Sequence, residues 1–220
     1  MAKVPDGLGV DAGTRIRRLP ERQVTSREVL YDIVDQSLVA HVAIVRYGLP
    51  VVIPFVPARD GDTLLLHGST GSGLMRACAS GAPVAVGITL LDGLVVSRSV
   101  FDNSMNYRSV VVFGVPEVLE GNAKEQALHT LVEHLLPRRS GEVRPSSDKE
   151  YAATLVLRLP LDRVSIKVRS GQAVTEPDDE DPSVWAGVIP LSIQRGDPIP
   201  DNGVTVDVPP SVRAAVRKLS

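Results

Sequence analysis

Between an apolar triplet, Leu64, Leu65 and Leu66, and a run beginning at Leu74, the chain reads His67-Gly68-Ser69-Thr70-Gly71-Ser72-Gly73. Small residues let backbone N–H groups approach an anion, hydroxyls add donors, and the start of a following helix adds about half a positive charge. A phosphate is the ligand this chemistry suits. Gly68 and Gly73 stand at P-loop spacing, but Leu74 and Met75 occupy the positions where that loop requires Lys and Ser or Thr, which argues against ATP hydrolysis. The dinucleotide pattern G-x-G-x-x-G fails as well, because Arg76 stands where the third glycine belongs. The plainer reading of the segment is a turn with Ser72 as a helix N-cap. His67 ends the apolar strand at the mouth of the loop, where an imidazole either donates to a phosphate or substrate or merely caps the strand.

A second polar cluster, Phe101-Asp102-Asn103-Ser104-Met105-Asn106-Tyr107-Arg108-Ser109, leads into the Val110 to Val112 strand. Strand alternation sends Tyr107 and Ser109 to one face and Arg108 to the other, toward a phosphate or toward solvent. Its plain alternative is a loop entering a strand.

Hydrolytic and metal chemistry find no such footing. His129 and His134 are five residues apart on a helix, about 140° around its axis, so they do not share a metal from one face. Ser72 lacks the G-x-S-x-G frame, Cys78 reads as a small core residue, and His41, inside an apolar strand, as a hydrogen-bonded structural histidine. No metal site is expected, and no catalytic acid or base announces itself. That pattern fits a protein whose cofactor carries the chemistry.

The elements that must position these segments follow from patterning. Thr25 and Glu28 at capping-box spacing open a helix to about Ser37, and Leu38 to Tyr47 and Val51 to Val56 form a hairpin. Thr63 to His67 is a third strand. Pro83 to Leu90 and Leu94 to Ser97 flank an Asp92-Gly93 hairpin turn, and Tyr107 to Val115 continues through Pro116 to Leu119. A helix capped by Asn122 and Glu125 ends at Pro137, residues 138–148 read as a polar loop, and strands follow at Ala152 to Leu159 and Val164 to Val168. Glu176, Asp178, Asp179, Glu180 and Asp181 form an acidic, solvated loop. The division expected is an arm over residues 1–20, one domain over 21–192, and an extended Pro-rich tail over 193–220 with a helix from Ser211 to Leu219. Helices set between hairpins, without βαβ alternation, give an α+β class with an antiparallel barrel at its centre.

Composition bounds the function. The chain has 220 residues with 43% hydrophobic and 23% charged, which suits a folded domain rather than a disordered one. Only eight are aromatic, so the core must rest on Val, Leu, Ile and Ala, residues that favour sheet. Lys and Arg number 24 against 26 Asp and Glu, so neither nucleic acid nor an anionic membrane surface is an expected partner. With Cys78 alone, and no apolar stretch of signal or membrane-span length, a cytoplasmic location is expected.

The segments His41 to Phe55 (HVAIVRYGLPVVIPF), Leu64 to Arg76 (LLLHGSTGSGLMR) and above all Asn106 to Gly114 (NYRSVVVFG), with Trp185 to Leu191 (WAGVIPL) in support, resemble the pyridoxamine 5'-phosphate oxidase-like superfamily. The likeness is to its flavin-nucleotide-binding branch, which includes the nitroimidazole-resistance proteins. It spans roughly residues 26 to 192. The resemblance implies a six-stranded antiparallel split β-barrel with peripheral helices, forming a homodimer with FMN across the subunit interface. By position, His67, Gly68, Ser69 and Thr70 would line the phosphate and ribityl region with Arg76 near the charge. Val52, Ile53 and Pro54 would run beside the isoalloxazine, and Ser104, Met105, Asn106, Tyr107 and Arg108 would approach from a neighbouring strand or subunit. The basic phosphate site of the true oxidases is not reproduced in this loop, which speaks against pyridoxamine phosphate oxidation. The activity implied is reduction of a small acceptor, such as a nitroaromatic compound, with electrons passed through flavin. The alternative is a carrier or sensor of the same fold that binds flavin, F420 or haem without turnover.

Overall fold

Val, Ile and Leu at alternate positions give most strands one buried face, and the strands assemble into two antiparallel sheets. The computed structural model describes residues 7–173 and 181–217. In the larger sheet β1 (Gln23–Val24), β10 (Val164–Arg169), β7 (Ser104–Gly114), β6 (Val84–Val96), β2 (Ala40–Arg46) and β3 (Leu49–Phe55) lie side by side in that order, and β11 (Gly187–Pro190) pairs with the far part of β6. The smaller sheet is β4 (Ala58–Asp60), β5 (Thr63–Ser69), β9 (Thr154–Pro160) and β8 (Glu117–Val118). The architecture is α+β, a split β-barrel with helices at its periphery.

Both sheets and α1 (Arg27–Gln36) send side chains to one core, including Leu30 and Ile33 from the helix, Val42, Val86 and Val112 from the larger sheet, and Leu64, Leu66 and Leu159 from the smaller. A second cluster, Leu65, Val156, Leu119 and Leu131, lies beneath α3 (Gly121–Leu135). This explains the leucine triplet: β5 is covered on both faces, so alternation sends Leu64 and Leu66 one way and Leu65 the other, all three buried.

Several local expectations change. The hairpin expected at Asp92-Gly93 does not form, because β6 runs through it with a bulge between Leu91 and Gly93, and the chain reverses after Val96 instead. Gly93 serves close approach: a Cβ there would lie 3.0 Å from Val188 Cγ1 and 3.1 Å from the Ile189 carbonyl oxygen. As a result Ser104, Met105 and Asn106 belong to strand β7 rather than to a loop before it. The chain also changes sheets after Gly114, so β8 is separate from β7. Ser26, not Thr25, caps α1, and α3 begins at Gly121 with no side-chain cap. The capping box present is Ser147 with Glu150, opening α4 (Asp148–Ala152) inside the stretch read as a loop.

From Gly7 the N-terminal segment packs on the barrel edge. Leu8 is buried, Leu8 N–H donates to Thr25 O at 2.8 Å, and Gln23 bonds the backbone at Thr14 and Ile16. Glu176, Asp178, Asp179 and Glu180 of the acidic loop lie outside the described residues. The tail ends in α5 (Pro210–Arg217), where Ser211 N–H and Oγ–H both donate to the Glu142 carboxylate, at 2.9 and 2.5 Å.

Candidate functional site

The end of β5 and α2 (Gly73–Ala79) meet at the loop the sequence singles out. Met75 and Phe55 stand so close that a Cβ on Gly68 would lie 2.9 Å from Met75 Cγ and 3.4 Å from Phe55 Cε1. Ser72 caps α2 through Met75 N–H at 3.4 Å, and Cys78 is buried in the core, as expected of both. The loop satisfies much of itself. Thr70 N–H donates to Ala153 O, Ser72 N–H to Ser69 O and Gly71 N–H to Ser69 Oγ, at 2.9, 2.9 and 3.1 Å. Backbone donors for an anion therefore narrow to the first residues of α2, and the charge beside it falls to two arginines. Arg76 Nη1 reaches Thr70 O at 3.5 Å, and Arg46, which the sequence reading missed, lays its guanidinium over Gly73 where any Cβ would collide with it. Its signal was available only in three dimensions, since Arg46 arrives from the end of β2.

His67 is half-buried, and its Nδ1 is sealed from solvent with no hydrogen-bond partner among the described residues. Burial pushes its imidazole below the ordinary value, so it stands neutral at pH 7. His41 departs from expectation. It lies on the exposed face of β2, opposite Pro54 and Gly87, rather than hydrogen-bonded in the core. The remaining histidines are engaged, His129 Nε2 with Ser140 Oγ at 3.1 Å and His134 Nε2 with Ser37 O at 2.8 Å.

Val52, Ile53 and Pro54 lie on β3, the outer strand of the larger sheet, and all three are exposed. Ser104 and Met105 are exposed on β7, Tyr107 is half-buried, and Asn106 is buried with its Nδ2 donating to Gly171 O at 3.0 Å. Arg108 turns to protein rather than open space, its guanidinium clamping the Asp92 carboxylate and Gln36 Oε1. Two strands separate β7 from β3, so within one chain these residues do not converge with Val52 to Pro54 on one pocket wall. Among the described residues no cluster of three His, Cys, Asp or Glu could hold a metal ion, and no helix is long and apolar enough to cross a membrane.

The family described as pyridoxamine 5'-phosphate oxidase matches residues 26–168. Among solved structures, the FAD and haem binding protein from Mycobacterium smegmatis is 45% identical, over 88% of this chain and 96% of its own, with a TM-score of 0.85. The flavocytochrome Anf3 from Azotobacter vinelandii is 32% identical over 93% of this chain and 96% of its own, with a TM-score of 0.87. A structure described as a 5-nitroimidazole antibiotic resistance protein from Bacteroides thetaiotaomicron shares the fold at 23% identity, over 66% of this chain and 86% of its own, with a TM-score of 0.55. No curated protein matches.

Proposed function

Because this chain belongs to the pyridoxamine 5'-phosphate oxidase family, we propose that it is a flavoprotein that also carries haem and moves electrons through the two to a small acceptor. Support comes from the M. smegmatis protein and from Anf3, one described as binding FAD and haem and the other as a flavocytochrome. FAD is accordingly the first flavin to test, with FMN the alternative. Flavin and haem supply the electron chemistry, and the protein supplies position and charge.

The observation that carries this reading is His67. Haem iron is held by a neutral imidazole nitrogen that is free to reach it. Burial keeps this ring neutral, and with Nδ1 sealed, Nε2, which is not sealed and makes no hydrogen bond among the described residues, would be the nitrogen offered. His129 and His134 are engaged elsewhere, which leaves His67 and His41 as the candidate ligands. The exposed backbone of β3 at Val52 to Pro54 offers an edge for a flavin ring, and Arg46 and Arg76 flank the loop with positive charge. The protein is proposed to work as a cytoplasmic homodimer. Val52, Val100, Phe101 and Trp185 are 58%, 94%, 91% and 65% exposed, apolar surface of the kind a second copy covers.

The test is the absorption spectrum of the purified chain, before and after addition of FAD, FMN and haemin, with sedimentation of the same samples. Flavin and Soret bands on a dimer are expected, the Soret band shifting or vanishing in His67→Ala while circular dichroism stays native. A protein that stays colourless after all three additions overturns the reading. A second reading, an FMN reductase without haem, is favoured by Arg46 and Arg76 beside one loop, which match a single phosphate. Haem-free protein that oxidises NAD(P)H only with FMN and a nitroaromatic acceptor selects it.

A further inference from the structure

The N-terminal arm ahead of β1 is fixed by its own hydrogen bonds. Thr14, only 1% exposed, accepts Asp11 N–H on its hydroxyl at 2.9 Å, and Arg15 N–H donates to Asp11 O at 3.0 Å, which closes a turn over these residues. Gln23 of β1 grips the residues that follow, taking Ile16 N–H on Oε1 at 2.9 Å and giving Nε2 to Thr14 O at 3.1 Å. Ile16 is half-buried, and Arg15 and Arg17 on either side of it are exposed. Residues two apart that flank an inward-facing one project to the same side, with their roots roughly 7 Å from each other.

Both arginines line one cavity. Its volume is about 470 Å³, and among the described residues its wall is Val10, Asp11, Ala12, Arg15 and Arg17. Asp11 does not cancel the two guanidinium charges, because its carboxylate is engaged elsewhere. Its Oδ1 accepts Gly13 and Thr14 N–H at 2.6 and 2.9 Å, and its Oδ2 accepts Arg163 Nε–H at 2.8 Å. Asp11 and Arg163 are neutral as a pair, so Arg15 and Arg17 leave the wall positive in a chain whose formal net charge is -2. A concave wall of one sign concentrates counter-ions of the other. The space is larger than a lone phosphate fills and falls in the range of about 300–1,000 Å³ that small organic ligands occupy. Val10 and Ala12 supply its apolar part.

We propose that this cavity binds the diphosphate of a nucleotide, with Arg15 and Arg17 as paired forks on its oxygens and Val10 and Ala12 against its organic part. The site is distinct from the charge at the β5–α2 loop. The arm joins the larger sheet through β1 and β10, whereas β2, which carries Arg46, lies three strands beyond β10. The inference rests on the flavin and haem reading only for the identity of the ligand, and that reading offers two sources of a diphosphate. One is the adenylate end of FAD, and the other is a nicotinamide dinucleotide that donates electrons to the flavin.

The experiment titrates ADP and adenosine, at equal ionic strength, into the full chain dialysed free of nucleotide, as wild type, Arg15→Gln and Arg17→Gln. Both substitutions fall at exposed positions, and circular dichroism checks that the fold is kept. The wild type is expected to bind ADP at least tenfold more tightly than adenosine, and each variant to lose about tenfold or more of the ADP affinity. ADP that fails to bind, that binds no better than adenosine, or that binds either variant as tightly as the wild type overturns the site. Flavin uptake measured on the same samples then stands as a separate result, so the cofactor reading survives that failure. Arginine-dependent ADP binding in a protein that takes up neither FAD nor FMN keeps the site and removes that reading. The source follows from two contrasts: weaker FAD with unchanged FMN in the variants assigns the cofactor, and equal FAD with weaker NADPH assigns the donor.

Discussion

Arg108 and Asp92 face each other beside the β6 bulge, Nη2 to Oδ1 at 2.8 Å and Nε to Oδ2 at 3.1 Å, with Nη1 of the same guanidinium on Gln36 Oε1 at 3.0 Å. One side chain thus ties β7 to the bulged stretch of β6 and to the last residue of α1. The pair is about a third exposed, 30% and 36%, so solvent screens it and its worth is about 1 kcal/mol or less. Arg108→Ala and Asp92→Asn should each lower stability in urea titrations, and the double variant should lose less than the sum. Additive losses would show that the clamp contributes nothing beyond its separate parts.

That clamp also marks where sequence reading stops. Asp92-Gly93 carries the composition of a hairpin turn, yet Asp92 is claimed by an arginine sixteen residues on and Gly93 by the backbone of β11, neither of which local propensity encodes. The strands, their antiparallel pairing and the Ser72 cap were legible because apolar alternation and capping act over a few residues. Arg46 was not, since a charge acquires a role from the elements folded around it, and it sat at the end of an ordinary strand. His67 was legible as a residue at the loop mouth, but its sealed Nδ1 depends on burial that only the packed β5 provides.

At Gly68 the expected effect of Ala is overpacking. The new Cβ would lie 2.9 Å from Cγ and 3.2 Å from Sδ of Met75, a side chain only 1% exposed and so with little room to yield. A loss of about 1–3 kcal/mol is expected on chemical denaturation. In a Met75→Ala background the same substitution should cost clearly less, and an equal cost in both would place the strain elsewhere.

The tail helix is fastened by a contact that can be cut. Ser211 is fully buried and gives both its N–H and its hydroxyl to Glu142, whose carboxyl this hydrogen bonding holds below the usual carboxylate range. Glu142→Ala should speed hydrogen exchange of the α5 amides while leaving the β6 and β7 amides protected, because α5 then opens as a unit of its own. Unchanged exchange in α5 would mean that Ala215 packing, rather than the Glu142 contact, holds the helix.

The pH dependence of stability should carry the signature of His67. Burial holds its folded-state value below the ordinary 6.5, whereas the unfolded chain keeps that ordinary value. As pH falls past 6.5 the unfolded state takes up the proton first, so folding stability is full above that pH and declines below it until the folded-state value is reached. The decline is therefore on the acid side, the opposite of a histidine held charged by a carboxylate. Melting temperatures between pH 5 and 8 should fall with acidity in the wild type, and the slope just below 6.5 should be shallower in His67→Gln, which cannot titrate. Haem bound through this imidazole would move the decline to still lower pH, because iron competes with the proton for the same ring. A cofactor-free His67→Gln protein with the wild-type slope would show that His67 is not buried enough to matter. A haem-loaded wild type with the haem-free profile would separate the iron from this ring.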